Sequence, residues 1–421
     1  MNSFTSGKSR LAVAAVATLM TLSVAACGSS SNAPSSSDTM SNMPSSSSSS
    51  TVSGTAATTT AAAGLRATLT DLLTQHVYLA GIALKTALDH GGNLKNPAVV
   101  AAVATLDSNS VALAKAVGSV YPAAETPFLQ SWRQHIGFFV NYTLGKATKN
   151  TAMANQAKAD LNGYRTSFGQ LIHSVVPELP AAAVAQELIP HVQTLLDTID
   201  ALVSGKGDAF ALLSKAAAHL PMTADILAGG IAKNKNLAGN VDDAASGLRS
   251  GLTYLLDSHV DLAGIALTQA ILKGGNLKDP SVVAAVNALD ANSVALSKAV
   301  GSVYPAAETP FLQSWRQHIG FFVNYTLGMA TKNAAMANKA KSDLNGYRTS
   351  FGQLINSVVP ELPAAAVAQE LIPHVQTLLD TIDALVAGNP KVFADLEMAA
   401  MHMPGTAAVL AGGIAANKNL S

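Results

Sequence analysis

Ser131-Trp132-Arg133-Gln134-His135-Ile136-Gly137-Phe138-Phe139-Val140-Asn141-Tyr142 decides the fold because it is written twice. It returns letter for letter as Ser314 to Tyr325. Moving 183 positions along the chain, from His135 to His318, also carries His76 to His259, His191 to His374 and His219 to His402. No insertion or deletion separates Leu65–Leu237 from Leu248–Leu420. The chain is one unit repeated, and a function has to fit inside one unit.

Around the dodecapeptide the apolar residues recur with the 3.6-residue period of a helix. Six helices per unit are predicted. In the first unit they run over about Leu65–His90, Pro97–Gly118, Ala124–Thr148, Thr151–Val175, Ala181–Ser204 and Asp208–Asn234. Gly91-Gly92-Asn93, Tyr121-Pro122, Pro177 with Pro180, and Gly205 stand at the breaks, where glycine and proline end helices. No run of alternating apolar and polar residues marks a strand. The expected fold class is all-α: two tandem, near-identical antiparallel bundles of about six helices each, residues 65–237 and 248–421, joined by a linker over 238–247.

Composition sets the outer bounds. Basic and acidic side chains number 26 each, so no net field gathers nucleic acid or anionic lipid. Charged residues make up 12% and aromatics 5%, which suits close-packed, alanine-rich helices. No folded segment runs 18 residues without a polar interruption, so no membrane span is expected after the leader. That leader has Lys8 and Arg10 before an apolar run, Leu11 to Ala26, closed by Val24-Ala25-Ala26-Cys27-Gly28. It resembles the signal peptide and lipobox of bacterial lipoproteins, with residues 1–27 as leader and lipobox. The resemblance implies lipid on Cys27, export, and membrane attachment on the extracytoplasmic face. Cys27 is the single cysteine, so disulfides and thiolate metal sites are excluded. Residues 28–64 are rich in Ser, Thr and Ala and read as a disordered tether, in which Met40 and Met43 are linker residues.

The histidines carry the chemistry. His76 stands in an apolar stripe with Leu69, Leu72 and Leu79; His135 with Phe128, Trp132, Phe139 and Tyr142; His191 with Leu188, Leu195 and Ile199; His219 with Leu212, Ala216 and Ile226. Each lies about 11 residues into its expected helix, or ~16 Å along the axis. Mid-height residues of antiparallel helices meet in one layer, whichever way each helix runs. The other two helices bring Asn109 and Tyr164 to the same height. The expected layer is His76, Asn109, His135, Tyr164, His191 and His219, copied as His259, Asn292, His318, Tyr347, His374 and His402.

Buried imidazoles need partners, since an unpaired buried polar group costs roughly 1–3 kcal/mol. A transition metal is one answer, because imidazole suits copper, zinc, nickel and iron. Hydrogen bonds to Asn109, Tyr164, Asp107, Asp160, Glu187 or buried water are the other. Glu187 and His191 share a helix face, with Pro190 between them. The Glu-x-x-His pairs of di-iron bundles are absent. So are a phosphate loop, Gly-x-Ser-x-Gly, His-Glu-x-x-His and a haem-attachment Cys-x-x-Cys-His.

At Trp132, His135, Tyr142, Tyr164-Arg165, His191 and His219 each unit resembles a helical domain of bacterial envelope proteins, some of which carry the label copper amine oxidase. The resemblance implies an envelope location and copper. It does not extend to amine oxidase catalysis: Asn141-Tyr142 is followed by Thr143 rather than an acid, and no His-x-His pair occurs. The reading that follows is a non-catalytic, lipid-anchored extracytoplasmic protein with a histidine-centred site in each repeat, for copper first and zinc second. An envelope structural or interaction module with hydrogen-bonded core histidines stands as the alternative, and a copper-dependent oxidoreductase after it. No protein partner is specified.

Overall fold

The computed structural model describes residues 57–420; Cys27 and most of the expected tether, with Met40 and Met43, lie outside them. The described chain is 84% helical and has no strand. The first repeat consists of α1 (Ala61–Asp89), α2 (Pro97–Val120), α3 (Glu125–Ala147), α4 (Thr151–Val175), α5 (Ala181–Ser204), α6 (Ala209–Ala217) and α7 (Leu220–Lys235). The second follows as α8 (Ala244–Leu272), α9 (Pro280–Val303), α10 (Glu308–Ala330), α11 (Ala334–Val358), α12 (Ala364–Val386), α13 (Val392–Ala400) and α14 (Met403–Lys418).

Local chemistry sets the helix ends. Thr60 starts α1 by accepting a hydrogen bond from the Ala63 amide at 3.2 Å, so the helix begins four residues before the expected Leu65. Asn96 caps α2 through the Ala98 amide at 2.9 Å, with Pro97 in the first turn, where its missing N–H costs nothing. Gly205 closes α5 at φ +67°, a conformation glycine adopts without strain. Pro190 sits inside α5, which remains one helix.

The expected sixth helix is two helices. It breaks at Ala218-His219, and α7 restarts with Pro221 in its first turn. Proline has no N–H to donate and its ring clashes with the turn before it, so a helix starts there more readily than it passes through. Met401-His402 repeats the break, with Pro404 in the first turn of α14. Asp208 precedes α6 as expected, but its side chain makes no capping bond.

Three stretches are long and apolar enough to cross a membrane by length and composition, where the sequence pattern suggested none: Pro97–Val120, Ala244–Leu272 and Val392–Lys418. In Ala244–Leu272, 78% of the apolar window is buried inside the protein, so packing accounts for its hydropathy.

In each repeat the first helix is the hub. α1 packs on α2, α3, α5, α6 and α7, and α8 on the corresponding five. α1 and α8 also pack on each other, with α6 against α9 and α13 against α2 in reciprocal fashion. The docking is that of a pseudo-twofold. Arg66 donates to the Val241 carbonyl at 2.5 Å, and its equivalent Arg249 donates to the Thr58 carbonyl at 2.8 Å. Each repeat thus holds the residue that leads into the other.

Candidate metal centre

His76 stands near the middle of α1, His135 near the middle of α3 and His191 near the middle of α5. Their apolar neighbours pull these helix faces inward, and the imidazoles meet. His76, His135 and His191 each present a ligand nitrogen within 4.8 Å of the others, and His259, His318 and His374 do the same in the second repeat. All six are buried. The Nε2 atoms of His76 and His135 are 3.3 Å apart, and those of His259 and His318 are 3.2 Å apart. Two nitrogens each 2.0–2.1 Å from a tetrahedral metal would be separated by about 3.3 Å.

The walls around the triad are aromatic. Trp132 lies 4.8 Å from His76 and 4.6 Å from His135 by ring centroids, and Tyr164 stacks on His135 at 4.9 Å. Trp315 and Tyr347 repeat this to within 0.1 Å. Burial lowers the pKa of His76 to about 3, with His191 adding to the effect, and lowers His191 to about 4, with His219 adding. Burial and the other two imidazoles also push His135 well below its usual range. The triads are therefore neutral at pH 7, the protonation state in which imidazole binds metal. The Nδ1 atoms of His76 and His191 have no hydrogen-bond partner among the described residues.

The remaining members of the expected layer divide. Tyr164 and Tyr347 belong to the site as stacking partners. Asn109 is buried beside it and donates to the Leu72 carbonyl at 3.1 Å, one turn before His76; Asn292 donates to Leu255 at 3.0 Å. His219 and His402 are not brought into the triads. They sit at the helix break, His219 half-buried and His402 exposed. His219 Nε2 is 2.9 Å from Glu187 Oε1, which also accepts from the Thr223 hydroxyl at 3.0 Å. That bridge ties α7 to α5 one turn before His191. Asp107 is taken up by Arg133 through two bonds of 2.6 and 2.7 Å, and Asp160 accepts from Gln156. Neither reaches a triad.

Trp132 and Trp315 form walls of the site. Their place four residues from Phe128 and three from His135 on one stripe carried that signal. Fold and site together define a tandem all-helical protein with a buried three-histidine cluster at the centre of each repeat. No protein-family model, no curated protein and no solved structure matches the chain.

Proposed function

We propose that the protein is a lipid-anchored, extracytoplasmic metal-binding protein in which each repeat holds one transition-metal ion, copper before zinc. The observation that carries the metal reading is the convergence of three neutral, buried imidazoles at ligand spacing, twice in one chain. Both clusters consist of imidazole alone. A buried ion with no carboxylate beside it is costly, and the cost rises with its charge. Monovalent copper is therefore favoured over divalent zinc, although both accept imidazole. The lipobox around Cys27 and the residue resemblance to envelope proteins supply the location.

The test is the metal content of the purified chain after exposure to each metal. About one ion per repeat is expected, with loss of both on combined His135→Ala and His318→Ala substitution. A chain that stays metal-free, and whose melting temperature ignores added copper and zinc, defeats the metal reading. In that event the Nε2–Nε2 hydrogen bonds at 3.3 and 3.2 Å favour the second reading, a structural or interaction module of the envelope.

A further inference from the structure

Beside each histidine triad the bundle leaves a void. It measures about 60 Å³ in the first repeat, with His191 in its wall, and about 70 Å³ in the second, with His318 and His374 in its wall. All 20 wall residues of the first void have their equivalents in the wall of the second, and 19 of these pairs are the same amino acid. Copying alone does not explain this where the repeats have drifted. Met222, Asp225, Ile226 and Lys233 have become Gly405, Ala408, Val409 and Ala416, while the wall residues Thr223, Leu227 and Ile231 are kept as Thr406, Leu410 and Ile414. The one difference is Leu220 against Met403.

The wall chemistry selects an occupant. No carboxylate, ammonium or guanidinium group lines either void. The hydroxyls in the first are already engaged: Tyr121 donates to Asn234 at 2.7 Å and Thr223 to Glu187 at 3.0 Å. Besides imidazole, an anion would find there the Trp132 indole N–H, which has no partner among the described residues, and that single donor does not compensate its desolvation. A water molecule needs two to four polar partners, and a dry apolar cavity takes up apolar guests instead. A metal held by three protein ligands keeps a position open for an outside ligand.

We propose that each void is the pocket for a small, uncharged diatomic gas, of the dioxygen and carbon monoxide kind, which binds the metal of the adjoining triad. This rests on the metal reading above, and the test separates the two. The full chain is loaded with Cu(I) without air and exposed to carbon monoxide. Copper is counted by elemental analysis and bound gas by its infrared stretching band. The expected result is a band from bound carbon monoxide that disappears in the Leu227→Phe, Leu410→Phe variant while its copper content is unchanged. The milder pair Val117→Leu, Val300→Leu is expected to weaken the band, and serves if the phenylalanine variant does not fold.

Bound copper without a band overturns the gas pocket and leaves the metal site standing. A band that survives both pairs of substitutions also overturns it. Absence of copper overturns both readings. In the metal-free chain, xenon is expected to enter the same voids and shift its NMR signal, an effect lost in the filled variants. No shift means that the voids do not admit a guest.

Discussion

His76 and His191 show how strongly one residue can feel its place in the bundle. Burial, and then the neighbouring imidazole, hold them at about 3 and about 4, against 6.5 for a free imidazole. A folded-state pKa below the unfolded one means that the unfolded chain binds more protons as the pH falls. The stability is fully present above 6.5 and is lost on the way down to about 4 and about 3. Each such histidine removes about 2 kcal/mol between pH 6.5 and 5. The urea midpoint of the metal-free chain is therefore expected to drop steeply between pH 7 and 5, and less steeply in the His191→Leu, His374→Leu variant. An unchanged drop in that variant would mean that these imidazoles do not titrate as buried groups. The inward stripes of His76, His135 and His191 were legible in the sequence because heptad-like spacing reports which face of a helix is buried. His219 satisfied the same spacing and stands outside the cluster.

The reason lies in the element. Leu212, Ala216, His219 and Thr223 keep a helical period across a point where the chain breaks and Pro221 takes the first turn of a new helix. Period alone does not register a missing amide, and a proline alone does not fix a break, since Pro190 lies inside the unbroken α5. Close approach between helices is hidden in a similar way. Gly163 and Gly169 both lie in α4, and a methyl group is expected to have opposite effects on them. At Gly163 nothing lies within 4 Å of the added carbon. Gly163→Ala is expected to stabilise by about 0.5–1 kcal/mol through the chain entropy that glycine forfeits. At Gly169 the added carbon would press on the Ala181 carbonyl oxygen, where α5 begins. Backbone cannot swing aside as a side chain does, and Gly169→Ala is expected to cost about 1–3 kcal/mol. Melting temperatures moving in opposite directions would bear out this packing of α4 on α5. Two increases would show that the helices do not meet so closely.

At the scale of the whole molecule, the drift between the repeats follows the surface on which they meet. Leu69, Leu72, Leu73, His76 and Leu79 of α1 are unchanged in α8, whereas Asp71, Thr74, Gln75 and Tyr78 have become Tyr254, Asp257, Ser258 and Asp261. The changed positions lie on one helix face. The sequence alone reads such polar residues as a solvated surface, because periodicity does not say whether water or another bundle covers a face. The fold buries Asp257 and Asp261 completely, with Asp257 sharing a hydrogen bond with Asp71 and the Asp261 carboxyl oxygens lacking a donor among the described residues. Burial, then the charges of Asp71 and Asp261, raises Asp257 well above the usual carboxyl range. Burial, then Asp71 and Glu397, does the same for Asp261. Asp71 is raised by burial to about 7, even though hydrogen bonds with Gln75 and Asp257 work against the shift. These signs oppose those of the histidines: a carboxyl raised in the folded state contributes fully below pH 3.8 and loses its contribution as the pH rises through the folded value. Above pH 6.5 the imidazoles are neutral in both states, so a decline in stability there isolates the carboxyls. The chain is expected to be most stable near pH 6.5. Asp257→Asn with Asp261→Asn is expected to raise stability by about 1–3 kcal/mol at pH 8 and by much less at pH 5. Urea midpoints at the two pH values decide it. An equal gain at both would show that these two carboxyls stay protonated throughout, so that neither brings a charge to the contact between α1 and α8.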